Sequence, residues 1–351
     1  MVKVLQVIAG AEKGGAEAFF LRLCIALNNR GVEQQVLTRP FDERMNQLSS
    51  AGIPFKIAKF GSLFDFSTSK NIERLKSEFM PDIILSWMNR ATNYCSSKKN
   101  NFGSIHVARL GGYYNLKYYR KCDYLIGNTN GIYNFLINNG WSKENCIHLP
   151  NFASNAKPDI IKKESLNTPV NAITLFSAGR LHKNKAFDTL IGAVSKISKV
   201  HLWLAGDGPL KTDLIAQVKK LNISDRVHFL GWRDDISGLY NASDIFVCPS
   251  RHEPLGNVIL ESWSHRKPVI AASSQGPSEL INDGINGLVF SIDNESELVG
   301  CIKKLISDSN LREDLANNGY KLFNQFYSEK VVTNKFIDFF NKIKKNKECV
   351  E

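Results

Sequence analysis

Nowhere does the chain approach the roughly 20 consecutive apolar residues that a membrane-spanning helix needs. Its seven cysteines, an odd number, include no C-x-x-C pair. That argues against a disulfide framework or a zinc knuckle and points to a reduced, cytosolic setting. The opening MVKVLQVIAG has one lysine and a short apolar run that reaches KGGAE at once. It reads as a first strand, because a secretory leader has a longer apolar region and a small-residue cleavage site. G-x-G-x-x-G is missing, which weakens a dinucleotide reading, and no D-x-D stands where a metal would bind.

What is present is globular. The 351 residues are 43% hydrophobic and 23% charged, enough for full cores and long enough for two domains. The net charge of +11 is uneven: residues 1–160 hold 20 Lys+Arg against 12 Asp+Glu, a balance of +8 that leaves +3 for the rest. A basic first half suits an anionic partner, whether nucleic acid, a phospholipid surface or an acidic small molecule; solubility is the plainer explanation. In YYNLKYYRKCD (113–123), aromatics alternate with Lys117, Arg120 and Lys121, a mixture suited to anionic lipid headgroups.

Short β-rich runs alternate with helical stretches throughout. Strands are expected at 2–9, 33–38, 54–58, 82–87, 105–109 and 123–127. After the first, a stripe of Ala16, Phe19, Phe20, Leu23, Cys24 and Leu27 at helical spacing predicts an amphipathic helix. The polar stretch 155–171, with two prolines, reads as a linker. Strand runs then restart at 173–179, 201–206, 226–231, 244–248, 268–272 and 287–290. The expectation is an α/β chain of two doubly wound parallel-sheet domains, 1–160 and 161–327, with a helix over 328–345 packing back on the first. Ligands of such sheets bind beyond the carboxyl ends of the strands, so the cleft between the domains is the expected site.

Three stretches carry chemistry. AGAEKGGAEAFF places Gly14 and Gly15 between strand and helix, where backbone can approach an anion; a tight turn without a ligand is the competing reading. ITLFSAGRLHKNKAFDTLI places Gly179 and Arg180 at a strand end and Lys185 just before a helix, two cations suited to a diphosphate. His182 is taken as a neighbour only. RHEPLGNVILESW holds Glu253 and Glu261 with seven residues between them. On one continuous helix they would be about 80° apart; with a helix starting after Glu253, each can flank one end of an elongated ligand. A carboxylate accepting two hydrogen bonds matches the vicinal hydroxyls of a sugar or ribose. The bland alternatives are a loop charge beside Arg251 and a rim residue.

GRLHKNKAFDTLI, WLAGDGPL, HFLGWRDD, LYNASDIFVCPSRHEPLGNVILESW and GPSELINDGINGLV stand in the order and spacing of family 4 retaining glycosyltransferases of the GT-B fold. The chain resembles that family, and within it bacterial lipopolysaccharide and capsule sugar transferases, over most of residues 1–345. The resemblance implies two tandem Rossmann-like domains and a UDP- or GDP-sugar donor. Arg180 and Lys185 would hold its diphosphate, Glu261 the ribose and Glu253 the transferred sugar. Backbone at Leu255, Gly256 and Asn257 would face sugar and phosphate, the loop near Gly231–Arg233, with Trp232, would border the base, Gly179 and Gly206 would belong to the donor site, and Gly14 and Gly15 would approach the phosphates. Where the family has glycine after its lysine, Ala186 stands here, which puts the helix start in doubt. Asp234-Asp235 is not the acidic metal motif, and no metal or other cofactor is expected, since fixed cations and helix N-termini supply positive charge.

Retention without a protein nucleophile implies front-face substitution. In the family a first-domain histidine often lies near the reacting sugar, and His106 is the candidate by position, against an ordinary buried strand histidine. Arg109, Tyr113, Lys117 and Arg120 are candidates to meet a charged acceptor. The implied partners are a nucleotide-sugar donor, a glycolipid or polysaccharide acceptor and an anionic membrane at its cytosolic face, with no nucleic acid. A sugar-nucleotide 2-epimerase and a non-catalytic sugar-nucleotide-binding subunit are the rivals. The first would need paired acid/base carboxylates in the first half, and none stand out; the second would be expected to have lost the cations and glutamates.

Overall fold

The structure, a computed structural model, describes residues 2–61, 65–95, 103–153 and 159–349. It divides into two compact units, Met1–Asn151 with Glu329–Glu351, and Phe152–Ser328. The first unit contains strands β1 (Lys3–Ile8), β2 (Glu33–Thr38), β3 (Phe55–Ile57), β4 (Ile83–Trp87), β5 (Ile105–Leu110), β6 (Tyr124–Gly127) and β7 (Cys146–His148). They form one sheet in the order β3-β2-β1-β4-β5-β6-β7, and all its pairings are parallel. The second contains β8 (Ile173–Ala178), β9 (Val200–Ala205), β10 (Val227–Gly231), β11 (Ile245–Cys248), β12 (Val269–Ala272) and β13 (Leu288–Phe290), ordered β10-β9-β8-β11-β12-β13 and again parallel.

Each sheet is covered on both faces, which is why its central strands are near-continuous apolar runs. Every residue of β4 and of β5 is buried. In β8, successive residues enter different cores: Leu175 packs with Leu190, Leu204 and Val247, while Phe176 packs with Trp203, Phe246 and Trp263. The helix Gly15–Asn28 buries Phe19, Phe20, Leu23, Cys24 and Leu27, with Glu17 joining the apolar stripe. The sequence misses β7, a three-residue edge strand.

The polar stretch read as a linker belongs to the second unit where it is described; residues 154–158 lie outside the described residues. The boundary falls after Asn151 rather than near 160. Lys163 pairs with Asp244 at 2.6 Å, and the buried Thr168 hydroxyl accepts the Trp203 indole N–H at 2.9 Å. These contacts tie the stretch to the second core. The last helix, Glu329–Glu348, belongs to the first unit. There Phe339 meets Tyr124 edge-on at 5.8 Å and Lys344 pairs with Asp82 at 3.0 Å. Among the described residues no helix is long and apolar enough to cross a membrane.

Candidate functional site

In the second unit the candidate residues gather at the carboxyl ends of the strands. The Gly179 N–H donates to Ala205 O at 2.9 Å and the Gly206 N–H to Gly231 O at 2.7 Å, lacing together the ends of β8, β9 and β10. Arg180 follows at once, exposed, with no ion pair among the described residues. A short turn, Lys183–Lys185, leads to the helix Phe187–Ser195. Ala186 sits between them at φ 50°, ψ 37°, buried. This is a left-handed position, which favours glycine and which an alanine occupies at a cost of about 1–2 kcal/mol, so the helix start bears strain.

Lys185 reaches Glu253, its ammonium 2.5 Å from Oε2, with the side chains 24% and 12% exposed. Burial works against the ammonium, but Glu253 above all, with Cys248 and Glu261, outweighs it and raises the pKa. The turn and the Glu253 loop form one unit. The His252 N–H donates to Asn184 O at 3.2 Å, and Arg251 donates to Lys183 O at 2.7 Å. Arg251 also grips Asp188 through two nitrogens, at 3.0 and 2.7 Å, and pairs with Asp293 at 2.7 Å. Hydrogen bonding to Asp188 is the main reason its pKa is raised. Arg251 is therefore a strap between loop and helix rather than a partner of Glu253. Its role was missed because Asp188 and Asp293 are distant in sequence.

The helix Asn257–Ser264 begins after Gly256, which adopts φ 81°. Glu253 therefore precedes the helix and Glu261 lies within it. Not all the backbone donors read from the sequence are open: the Gly256 N–H donates to Glu253 Oε1 at 3.3 Å. The Glu253 carbonyl accepts the Gly276 N–H at 2.7 Å, anchoring the loop from its other side. The hydroxyl of Tyr240, buried and stacked on His265, lies 3.2 Å from Val258 O and 3.3 Å from Glu261 Oε2, so its one proton is divided between them. Burial first, and then the Glu261 charge, pushes its phenol well up, so it remains a hydrogen-bond donor. Trp232 is 62% exposed. Arg233 forks onto Asp235 at 2.7 and 2.5 Å and is held in its own turn.

In the first unit the glycine loop is occupied by its own helix. Glu17 is buried and its Oε1 accepts the Ala11 N–H at 2.9 Å. A Cβ at Gly14 would lie 2.3 Å from Glu17 Oε2, and one at Gly10 2.4 Å from Oε1. A side chain at Gly14 would therefore have to push the Glu17 carboxylate aside. Buried Arg44 holds the loop from the opposite side, donating to Ala11 O and, at 3.0 Å, to the Thr38 hydroxyl.

Two expectations for the first unit are corrected. His106 is the second residue of β5, away from the strand's carboxyl end, and is 5% exposed. Its Nε2 lies 2.9 Å from Ser86 Oγ, and burial lowers its pKa to about 3, with Lys76 adding a smaller effect. It is a neutral core histidine and is not placed to serve a reacting sugar. Arg109, 1% exposed, stacks on Phe19 and Trp87 at 4.6 and 4.9 Å and donates to Asn151 Oδ1. Burial lowers its pKa to about 9, and in that position it cannot meet an acceptor at the surface. Tyr113 is 43% exposed and meets Phe135 edge-on, while Lys117 and Arg120 line a cavity with Trp141.

The His106 correction has a measurable consequence. The folded chain keeps the imidazole neutral, so stability from this group is complete above pH 6.5 and is lost as pH falls toward 3. At pH 5 the loss is about 2 kcal/mol, from 1.36 kcal/mol per pKa unit. Urea unfolding at pH 5 and 7 should show His106→Asn losing about 2 kcal/mol less than the parent between the two conditions. An equal loss in parent and variant would mean that the folded chain does not hold His106 neutral.

The family of glycosyl transferases group 1 matches residues 159–322. The chain is 35% identical over 332 residues to the lipopolysaccharide core biosynthesis glycosyltransferase LpsE of Rhizobium meliloti (strain 1021), covering 93% of this chain and 95% of that one. It is 33% identical over 343 residues to LpsD of the same organism, covering 97% and 98%. In fold it is similar to a glycosyltransferase of Rickettsia africae, with a TM-score of 0.88 at 18% identity over 98% of this chain and 99% of that one. It is also similar to HepE of Anabaena in complex with UDP and glucose, with a TM-score of 0.84 at 22% identity over 97% and 100%.

Proposed function

The chain belongs to the group 1 glycosyl transferases, with the GT-B fold of two Rossmann-like units, and from that premise we propose that it moves a sugar from a nucleoside-diphosphate sugar to a lipopolysaccharide core or related surface-glycan acceptor, with retention and without a metal. The observation that carries this reading is the Lys185–Glu253 pair, locked between two loops at strand carboxyl ends and followed by a helix start. In this reading Lys185 and Arg180 take the donor diphosphate, Glu253 the hydroxyls of the transferred sugar and Glu261 the ribose. As the acceptor oxygen bonds to the anomeric carbon, the bond from that carbon to the phosphate oxygen breaks, and the acceptor proton passes to the departing diphosphate. Negative charge grows on the leaving group, where fixed cations stabilise the transition state most. The lipopolysaccharide core relatives LpsE and LpsD support the acceptor class. The excess of basic residues in 1–160 supports work at the cytosolic face of an anionic membrane.

The test incubates the full chain with radiolabelled UDP-glucose and a panel of other UDP- and GDP-sugars, with and without lipopolysaccharide-core lipid. Label should enter lipid with one donor, with the anomeric configuration kept, and at the same rate in excess EDTA. Isomerised sugar nucleotide without an acceptor would mark an epimerase instead. Binding with neither product would mark a non-catalytic subunit, and loss of transfer in EDTA would overturn the metal-free mechanism.

A further inference from the structure

A cavity of about 610 Å³ in the first unit lies where the Leu116–Tyr118 turn meets the end of the helix Asn130–Asn138. We propose that it binds an anionic pyranose, a sugar ring carrying a phosphate or carboxylate, as part of the acceptor. The inference rests on the transferase reading and deepens it by naming what the acceptor must contain. Tyr114, Phe135 and Trp141 give the wall apolar faces, Lys117 and Arg120 give it charge, and Asn139 gives it an amide. A pyranose has matching parts: C–H faces that pack on aromatic rings, hydroxyls that pair with amides, and here a charged substituent. The volume falls within the range of small-molecule sites.

Three details show what the cavity leaves open to a ligand. Neither Lys117 nor Arg120 has a carboxylate partner among the described residues, whereas Lys163, Arg251 and Lys344 are all paired. Trp141 is half-buried, and no described acceptor takes its indole N–H. Asn139 donates its amide to Phe135 O at 2.8 Å, which fixes the side chain and leaves its carbonyl oxygen without a partner among the described residues. The geometry also orients the ligand. Asn139 closes the carboxyl end of its helix, where the partial charge is negative, so the sugar's anionic group belongs at Lys117 and Arg120 and its hydroxyls at Asn139. A flat lipid surface would use the two cations but not the aromatic wall.

Isothermal titration of the full chain with glucose 6-phosphate, mannose 6-phosphate, glucuronate, glucose and inorganic phosphate tests the proposal, with UDP as an independent probe of the second unit. At least one anionic sugar should bind tenfold more tightly than both glucose and phosphate. Lys117→Gln/Arg120→Gln and Trp141→Leu should each weaken it tenfold or more, with UDP affinity unchanged. Both cations are exposed, so the double charge variant should melt with the parent and decides alone if Trp141→Leu does not fold. The proposal is overturned if no anionic sugar exceeds inorganic phosphate, or if the charge variant keeps its affinity for the sugar. The second result, combined with lost sedimentation on phosphatidylglycerol vesicles, would assign the two cations to a membrane surface. Sugar binding without any UDP or nucleotide-sugar binding would leave the pocket standing and remove the transferase reading.

Discussion

Replacing Arg180 or Lys185 with alanine should each lower the turnover of sugar transfer about a hundredfold, the scale of losing one electrostatic donor to a developing charge. The two variants should differ in stability, and that difference tests the structure as well as the role. Arg180 is exposed and has no ion pair among the described residues, so Arg180→Ala should melt with the parent. Lys185 is partnered: its removal leaves the Glu253 carboxylate, only 12% exposed, without its ammonium. Stranding such a group costs about 1–3 kcal/mol. Lys185→Ala should therefore melt lower, and Lys185→Ala/Glu253→Ala should be less unstable than the sum of the two single changes. Steady-state kcat with the identified donor and thermal melts of the parent and the four variants provide the comparison. Near-normal turnover in both single cation variants would remove the diphosphate assignment.

The second unit could be read from the sequence further than the first, for a physical reason. Its candidate residues sit in short loops directly after strands, and each strand is a recognisable apolar run. Gly179 and Arg180, Lys185, and Glu253 with Gly256 are therefore each placed by the nearest strand end or helix start, which local pattern reveals. The Pro-Leu-Gly break after Glu253 also indicates correctly that the helix begins late, as Gly256 at φ 81° confirms. Positions that depend on distant residues were not legible. His106 and Arg109 lie three apart in a strand buried on both faces, and a parallel strand does not announce which polar residues turn inward. Arg109 is held by Phe19 from the first helix, Trp87 from β4 and Asn151, contacts that no local period encodes. The cavity joins residues near 117 to residues near 141 in the same way; the sequence shows its basic-aromatic half but not the wall that closes it. The glycine loop is the intermediate case. Its glycines are evident, but the carboxylate they accommodate, Glu17, is hidden within an otherwise apolar stripe.

Glu253→Gln and Glu261→Gln should separate turnover from nucleotide binding. The Tyr240 hydroxyl, whose proton is divided between Val258 O and Glu261 Oε2, can donate to a glutamine carbonyl as well, so Glu261→Gln should remove charge with little change of shape. If Glu261 holds the ribose, UDP affinity should fall about tenfold, the value of charge-assisted hydrogen bonds lost to a neutral acceptor. Glu253 acts in a different place. Its carboxylate neutralises Lys185 and accepts the Gly256 N–H, so in Glu253→Gln the ammonium is no longer shared with a neighbouring acid. The UDP diphosphate then meets less competition at Lys185, and UDP affinity should stay equal or rise. If Glu253 holds the transferred sugar, turnover should fall about a hundredfold, because a charged contact is then lost where it matters to the transition state. Titration with UDP and kcat measured on the same preparations read the two effects separately. If UDP affinity drops in Glu253→Gln and holds in Glu261→Gln, the two carboxylates have exchanged roles, with the ribose at the loop and the sugar at the helix.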